Sequence, residues 1–217
     1  MQYMVAINQN DLDALDKAFP ALCGCKHFDV LDYPDLLYNC IAYAMGTDQM
    51  WVSPYRDAPW VWWPDTCPFN DELDSLIQAF EALGFEKCAT INVDNEDGYE
   101  KAILYQEAGR WKHASRVTGT EECESKLGES WKVQHDRGEV FTGSIYGNIY
   151  AVMKRPVADA HITQDNVPQR VPASVNRAKW NDYVNQIKQQ NRMKYGRYTA
   201  MYCGHDNSTI IGFQLNV

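Results

Sequence analysis

The chain has 217 residues, of which 45% are hydrophobic and 23% charged, enough apolar side chain to bury a core and too much for a disordered segment or a disulfide-stapled miniprotein. Twenty basic against 29 acidic residues leave a net charge of −9, which argues against general affinity for a nucleic-acid backbone. No apolar run approaches the roughly 18 residues that span a bilayer, and residues 1–10 lack a basic start and an apolar stretch, so a soluble, unprocessed chain with no membrane partner is expected.

In chain order, Asn10 or Asp11 caps a helix whose Leu12, Leu15 and Phe19 share one face and which Pro20 stops. Asp32, Pro34 and Asp35 mark a turn before residues 38–46, whose small and apolar side chains suit a buried helix ended by Gly46. A longer helix starts at Asn70, with Leu73, Leu76, Ile77, Phe80 and Leu83 at three-to-four spacing and Gly84 at its end. Strand-forming runs follow at 88–93, 102–105, 113–118, 139–142 and 148–153, separated by turn signals such as Asp97-Gly98 and Thr118-Gly119. A helical front half and an antiparallel back half make an α+β order.

Pro156, Pro168 and Pro172 bracket a polar stretch that reads as a linker. The expected organisation is a core domain over 1–156, a linker over 157–173 and a basic extension over 174–217. Residues 170–217 carry seven basic side chains against Asp182 and Asp206, a net of +5, which leaves −14 for the rest. Ser174 caps a helix with Trp180, Tyr183, Val184 and Ile187 on one stripe, followed by strands at 198–203 and 209–215. Apolar stripe and charge together predict that the extension docks on the core, where it also offers a contact for a protein partner.

Seven cysteines, an odd number, fit free thiols in a reducing, cytoplasmic compartment; delivery to another cell as an effector stays open. Within Tyr38-Asn39-Cys40-Ile41-Ala42-Tyr43-Ala44-Met45-Gly46, Cys40 falls in the first helical turn, where free amide hydrogens and the helix dipole favour thiolate. Filling space beside Ala42 and Ala44 is the bland alternative. A hydrolytic thiolate needs an imidazole. Of five histidines, His113 opens a strand just after a turn and is the best-placed base. A hairpin turning at Gly119 brings a third, orienting group alongside it, with Ser125, Glu124 and His135 as candidates in that order. Asn39 or the Cys40 backbone amide would hold an oxyanion. Between Pro59 and Pro64, Trp62 and Trp63 belong to a dense aromatic cluster with Trp51, Tyr55 and Trp60, which with Tyr38 would line a substrate groove or pack the core.

These residues also carry a resemblance. Asn-Cys-Ile-Ala-Tyr-Ala-Met-Gly over 39–46, Trp62-Trp63-Pro64, Gly98-Tyr99-Glu100-Lys101, His113-Ala114-Ser115-Arg116, Ser125-Lys126-Leu127-Gly128, Tyr146-Gly147 and Lys154-Arg155-Pro156 resemble, in order, the landmarks of an uncharacterised bacterial domain family over residues 38–156. The arrangement of helix-initial Cys40, strand-initial His113 and a polar residue one hairpin later is similar to papain-like peptidases of the NlpC type. That resemblance implies a papain-like fold and a cysteine hydrolase with Ser125 as third residue; NlpC-type enzymes usually carry His, Asn or Gln there.

Cys23-Gly24-Cys25-Lys26-His27 offers too few ligands for a structural zinc, and Asp94-Asn95-Glu96-Asp97-Gly98 is out of register for a calcium loop. No phosphate loop, dinucleotide fingerprint or nucleophile elbow occurs, so neither metal nor cofactor is expected. The expected function is a cysteine peptidase, amidase or deamidase acting on a peptide or protein substrate. Its alternatives are an inactive papain-like module that binds a protein through its tryptophan-rich face, and an acyl or transglutaminase-type transferase.

Overall fold

The computed structural model describes residues 9–35, 37–48, 50–54, 61–143 and 145–157. The stripe at Trp180, Tyr183, Val184 and Ile187 and the strands expected at 198–203 and 209–215 lie outside the described residues, as do Tyr55, Trp60 and most of the linker. In chain order the elements are α1 (Gln9–Ala18), β1 (Phe28–Asp32), α2 (Cys40–Ala44), β2 (Trp51–Val52), β3 (Val61–Trp62), α3 (Leu73–Glu81), β4 (Glu86–Lys87), β5 (Tyr99–Glu107), β6 (Arg110–Gly119), β7 (Glu122–Lys126), β8 (Lys132–Asp136) and β9 (Asn148–Pro156). Seven strands form one antiparallel sheet in the order β1-β8-β7-β6-β5-β9-β4, and β2 and β3 pair separately in parallel. The α+β expectation stands in that form.

Strand alternation gives the sheet two apolar faces, each with its own cover. Ala102, Leu104, Ala114, Ala151 and Met153 pack with α2, α3 and the β2–β3 pair, around Ile41, Met45, Trp63, Leu76 and Phe80. Ile103, Tyr105, Val117, Cys123, Val133 and Val152 pack on the other face with Leu15 of α1, Phe19, Leu22 and Phe141.

Several elements differ from the sequence reading. The front half is not purely helical, because β1 forms the sheet edge against β8; Phe28 and Val30 alternate with Asp29, too short a pattern to stand out beside the Cys-rich loop. Residues 88–93 are not a strand: after Cys88 donates to the Val152 carbonyl, the chain leaves the sheet and Ile91 is exposed. The run at 139–142 is a 3-10 turn, Gly138–Phe141, because the Gly138 carbonyl is taken by the Tyr105 hydroxyl at 2.7 Å. In the acidic loop before Gly98, Glu96 accepts from Lys154 and is ion-paired to Lys101.

Arg155 joins the layers. Only 1% exposed, it donates to the carbonyls of Met45 at the end of α2 and Leu83 beyond α3, both at 3.0 Å, and pairs with the buried carboxylate of Glu100. It thereby satisfies helix-end carbonyls that no intrahelical amide can reach. Removing one partner of a buried ion pair strands the other, at roughly 3–5 kcal/mol. Arg155→Met is therefore expected to cost about that much in urea unfolding, with Glu100→Gln in the same chain recovering part of it; a loss below about 1 kcal/mol would show that Arg116, 3.3 Å from Glu100, suffices.

Candidate functional site

Cys40 begins α2 because Asn39 caps it. The Asn39 carbonyl oxygen accepts from Ala42 N at 3.0 Å and Val52 N at 3.3 Å, and its amide donates to the Val52 carbonyl at 2.7 Å. The side chain is thus a staple between α2 and β2. The cysteine packs with the α2-side core, and the backbone amides of Ala114, Ile41 and Cys40 itself face its sulfur. The β6–β7 ladder runs only from Arg116↔Glu124 to Gly119↔Glu122.

His113 lies on the opposite side of β6 from Ala114. It pairs across the sheet with Tyr105, stacks on Tyr146 at 3.9 Å between ring centres, and is fully buried. Its Nε2 is 3.1 Å from Ser125 Oγ, and its Nδ1 has no hydrogen-bond partner among the described residues. No hydrogen bond joins the ring to Cys40.

Ser125 Oγ has further partners in His135 Nε2 at 2.9 Å and Ser115 Oγ at 2.7 Å, and Ser115 reaches the Tyr105 hydroxyl at 3.1 Å. Proton accounting assigns the tautomers. His135 Nδ1 faces the carbonyls of Asp136 at 2.9 Å and Arg137 at 3.3 Å, which only accept. Ser115 donates to the Tyr105 hydroxyl, and Tyr105 to the Gly138 carbonyl, so the contact between the two serines is made by the Ser125 proton. The single Ser125 proton is thus spent on Ser115, and the contact to His113 is made by an Nε2–H. The bare nitrogen of His113 is Nδ1.

Burial dominates the electrostatics. It raises the Cys40 thiol despite the three amides and the positive charge of Lys126, so the resting group is a thiol rather than the expected thiolate. It holds His113 well below the usual histidine range, with His135 adding to the effect, and pushes His135 down to about 4 against the pull of its two carbonyls. Lys126, buried and lowered to about 8 by desolvation, still stands mostly charged at neutral pH; Nζ donates to the carbonyls of Asp35, Gly128 and Ser130 at 2.7–2.9 Å.

The expected site residues are thus partly gathered. Ser125 and His135 both join His113, whereas Glu124 faces α2 and bonds the Tyr43 hydroxyl. Trp62, Trp63 and Tyr38 are buried, the Trp63 indole donating to the Pro68 carbonyl at 3.0 Å, so in this conformation they are packing groups. Ser115, Tyr105, Lys126 and Tyr146 were missed as neighbours, although the period of two from His113 to Ser115 was a usable signal. Tyr146 is set by Gly147, which has φ +74° and whose missing Cβ would lie 2.1 Å from the Gln106 carbonyl oxygen. Cys25, Cys40, Cys67, Cys88 and Cys123 are free thiols. Among the described residues no group of three or more potential ligands could hold a metal, and no helix is long and apolar enough to cross a membrane.

Residues 31–154 match the model of a domain of unknown function, DUF7689, and the chain belongs to that family. No curated protein and no solved structure matches it.

Two histidines buried neutral make stability depend on pH. Their folded values lie below the ordinary 6.5, so the unfolded chain binds more protons as pH falls. Stability is full above about pH 6.5 and is lost towards about pH 4, on the order of 3 kcal/mol for His135 alone. Urea midpoints across that window check this. His135→Phe should flatten the slope, and an equally steep slope in that variant would place the acid sensitivity elsewhere.

Proposed function

We propose that the domain is a papain-like cysteine hydrolase acting on the amide bond of a peptide or protein, with Cys40 as nucleophile and His113 as base and then acid. The observation that carries this reading is the His113 ring, with Nε2 fixed by Ser125 and Nδ1 bare, the orientation a base needs if Nδ1 is to take the thiol proton. Because burial keeps both partners neutral at rest, the proton moves as the sulfur attacks rather than beforehand. The Cys40 amide then receives the oxyanion, and the charge of Lys126 favours the developing thiolate. Ser125 serves in the third position, itself held by Ser115 and His135. A substrate enters by displacing Tyr146 from the His113 face. Acyl transfer to an amine instead of water would use the same groups.

The second reading, a silent module that binds a protein partner, is favoured by the closure of the site, since His113 is fully buried and Cys40 is 7% exposed. The two separate on a panel of peptide and isopeptide amides. Hydrolysis is expected to fall by about 10³ or more in Cys40→Ala, while His113→Ala lets an acyl group accumulate on Cys40, visible by mass spectrometry of the intact chain. No amide turned over above the Cys40→Ala background, with no adduct on Cys40 in either protein, would leave the binding module.

A further inference from the structure

The two helices cover one face of the sheet only in part. α2 and α3 pack over β4 to β7, and the cross-strand row that starts beneath them at Ala102 continues through Arg116, Glu124 and Gln134 to Asp29 at the β1 edge. It is apolar under the helices and polar beyond them, the pattern of a face left open. Nearer the strand ends, Glu122 stands opposite Asp136 on the same face, and like charges so placed repel. Elsewhere acids are matched: Glu96 by Lys101 and Lys154, Asp71 by Arg110, Glu100 by Arg116 and Arg155. Among the described residues no ion pair reaches Asp29, Glu122 or Asp136. Glu122 accepts from the Thr118 hydroxyl and Asp136 from the Lys26 amide, while Asp29 Oδ1 is buried with no hydrogen-bond partner. Burial raises the Asp29 carboxyl; His27 pulls it down and the Glu122 charge pushes it further up.

This chain carries the complementary charge. Residues 174–217, outside the described residues, hold Arg177, Lys179, Lys188, Arg192, Lys194 and Arg197 against Asp182 and Asp206, six minus two or +4. The chain leaves β9 at Val157, whose amide donates to the Gly98 carbonyl at 2.9 Å. In the antiparallel order that is the strand end where Gly119, Glu122 and Asp136 also lie. From β9 to β8 is four strand spacings, about 19 Å, and the stretch 158–173 reaches at most about 55 Å, so the basic residues can arrive there. We propose that the open face of β7, β8 and β1 is the seat of this chain's own basic extension, residues 174–217, whose lysines and arginines pair with Asp29, Glu122 and Asp136. Tyr43, with Lys132 over its ring and Glu124 on its hydroxyl, forms the aromatic rim of that seat for the stripe at Trp180, Tyr183, Val184 and Ile187. The seat borders α2, so the extension covers the flank of the helix that carries Cys40, whether or not Cys40 is a nucleophile.

The test is zero-length coupling of lysines to carboxylates by a carbodiimide on the full chain, mapped by peptide mass spectrometry in an equal mixture of ¹⁴N- and ¹⁵N-labelled protein. Lys179, Lys188 and Lys194 should couple to Asp29, Glu122 and Asp136, with both peptides of each product carrying the same label. Asp29→Asn with Glu122→Gln should lower coupling to the remaining Asp136 about threefold at low salt, while the Lys101–Glu96 product, an internal control for the fold, is unchanged. Coupling of the three lysines to residues 94–97 or to α1 instead, or to no carboxylate of the core, would overturn the proposal. Mixed-label products would also overturn it, by making the occupant a second copy, and so would a yield at Asp136 indifferent to the double substitution. Should the double variant not fold, the coupling map of the unmutated chain decides alone.

Discussion

Ser125 has one proton and three partners, and that shortage organises the centre of the domain. A hydroxyl in water meets such demands by turning; Ser125, fully buried between β6 and β8, cannot. The proton goes to Ser115, whose own is donated to Tyr105, and His113 must offer its Nε2–H. The tautomer of the His113 imidazole, of a kind that many enzymes fix with a carboxylate, is fixed here by hydrogen-bond bookkeeping among hydroxyls and a second ring. No buried carboxylate has to be desolvated in that cluster, an avoided cost of several kcal/mol.

Closeness of Cys40 and the β6 backbone depends on a second constraint, the incomplete β6–β7 ladder. The pairing stops at Arg116↔Glu124, and α2 packs against β6 and β7. Lys126, whose three carbonyl partners include Asp35 just before the helix and Gly128 and Ser130 just after β7, keeps the two segments together there. Arg155 does the corresponding work at the far end of α2. A helix of five residues is too short to be stable alone; it is held by a capping asparagine at one end and a buried guanidinium at the other.

Much of this was legible from the chain. The 70–84 periodicity marks α3 to within a turn, because a nine-residue amphipathic helix leaves a clear 3.6 pattern. Cys40, His113 and Ser125 could be singled out because helix starts, strand starts and a glycine turn all leave local signals. What stayed hidden depends on pairing: β8 shows one apolar residue, Val133, between Lys132, Gln134 and Asp136, so only its place between β7 and β1 makes it a strand. Burial was equally invisible, and it changes the chemistry. Local reasoning makes Cys40 a thiolate from helix-terminal amides, and those amides are present, yet desolvation outweighs them. Trp62 and Trp63 look alike in sequence whether they line a groove or fill a core; the packing of α2 and α3 against them decides for the core.

The account turns on where the proton of His113 sits. Long-range ¹H–¹⁵N correlation spectra of the ring, assigned with a His113→Gln control, read this directly from the two nitrogen shifts. With Ser125 intact, the proton should be on Nε2 and Nδ1 should show the shift of a bare nitrogen from about pH 6 to about pH 8, and Ser125→Ala should let the two tautomers mix. A proton found on Nδ1 in the unmutated chain would contradict the account, since the ring would then hold no lone pair for the thiol and Ser125 would be donating to it.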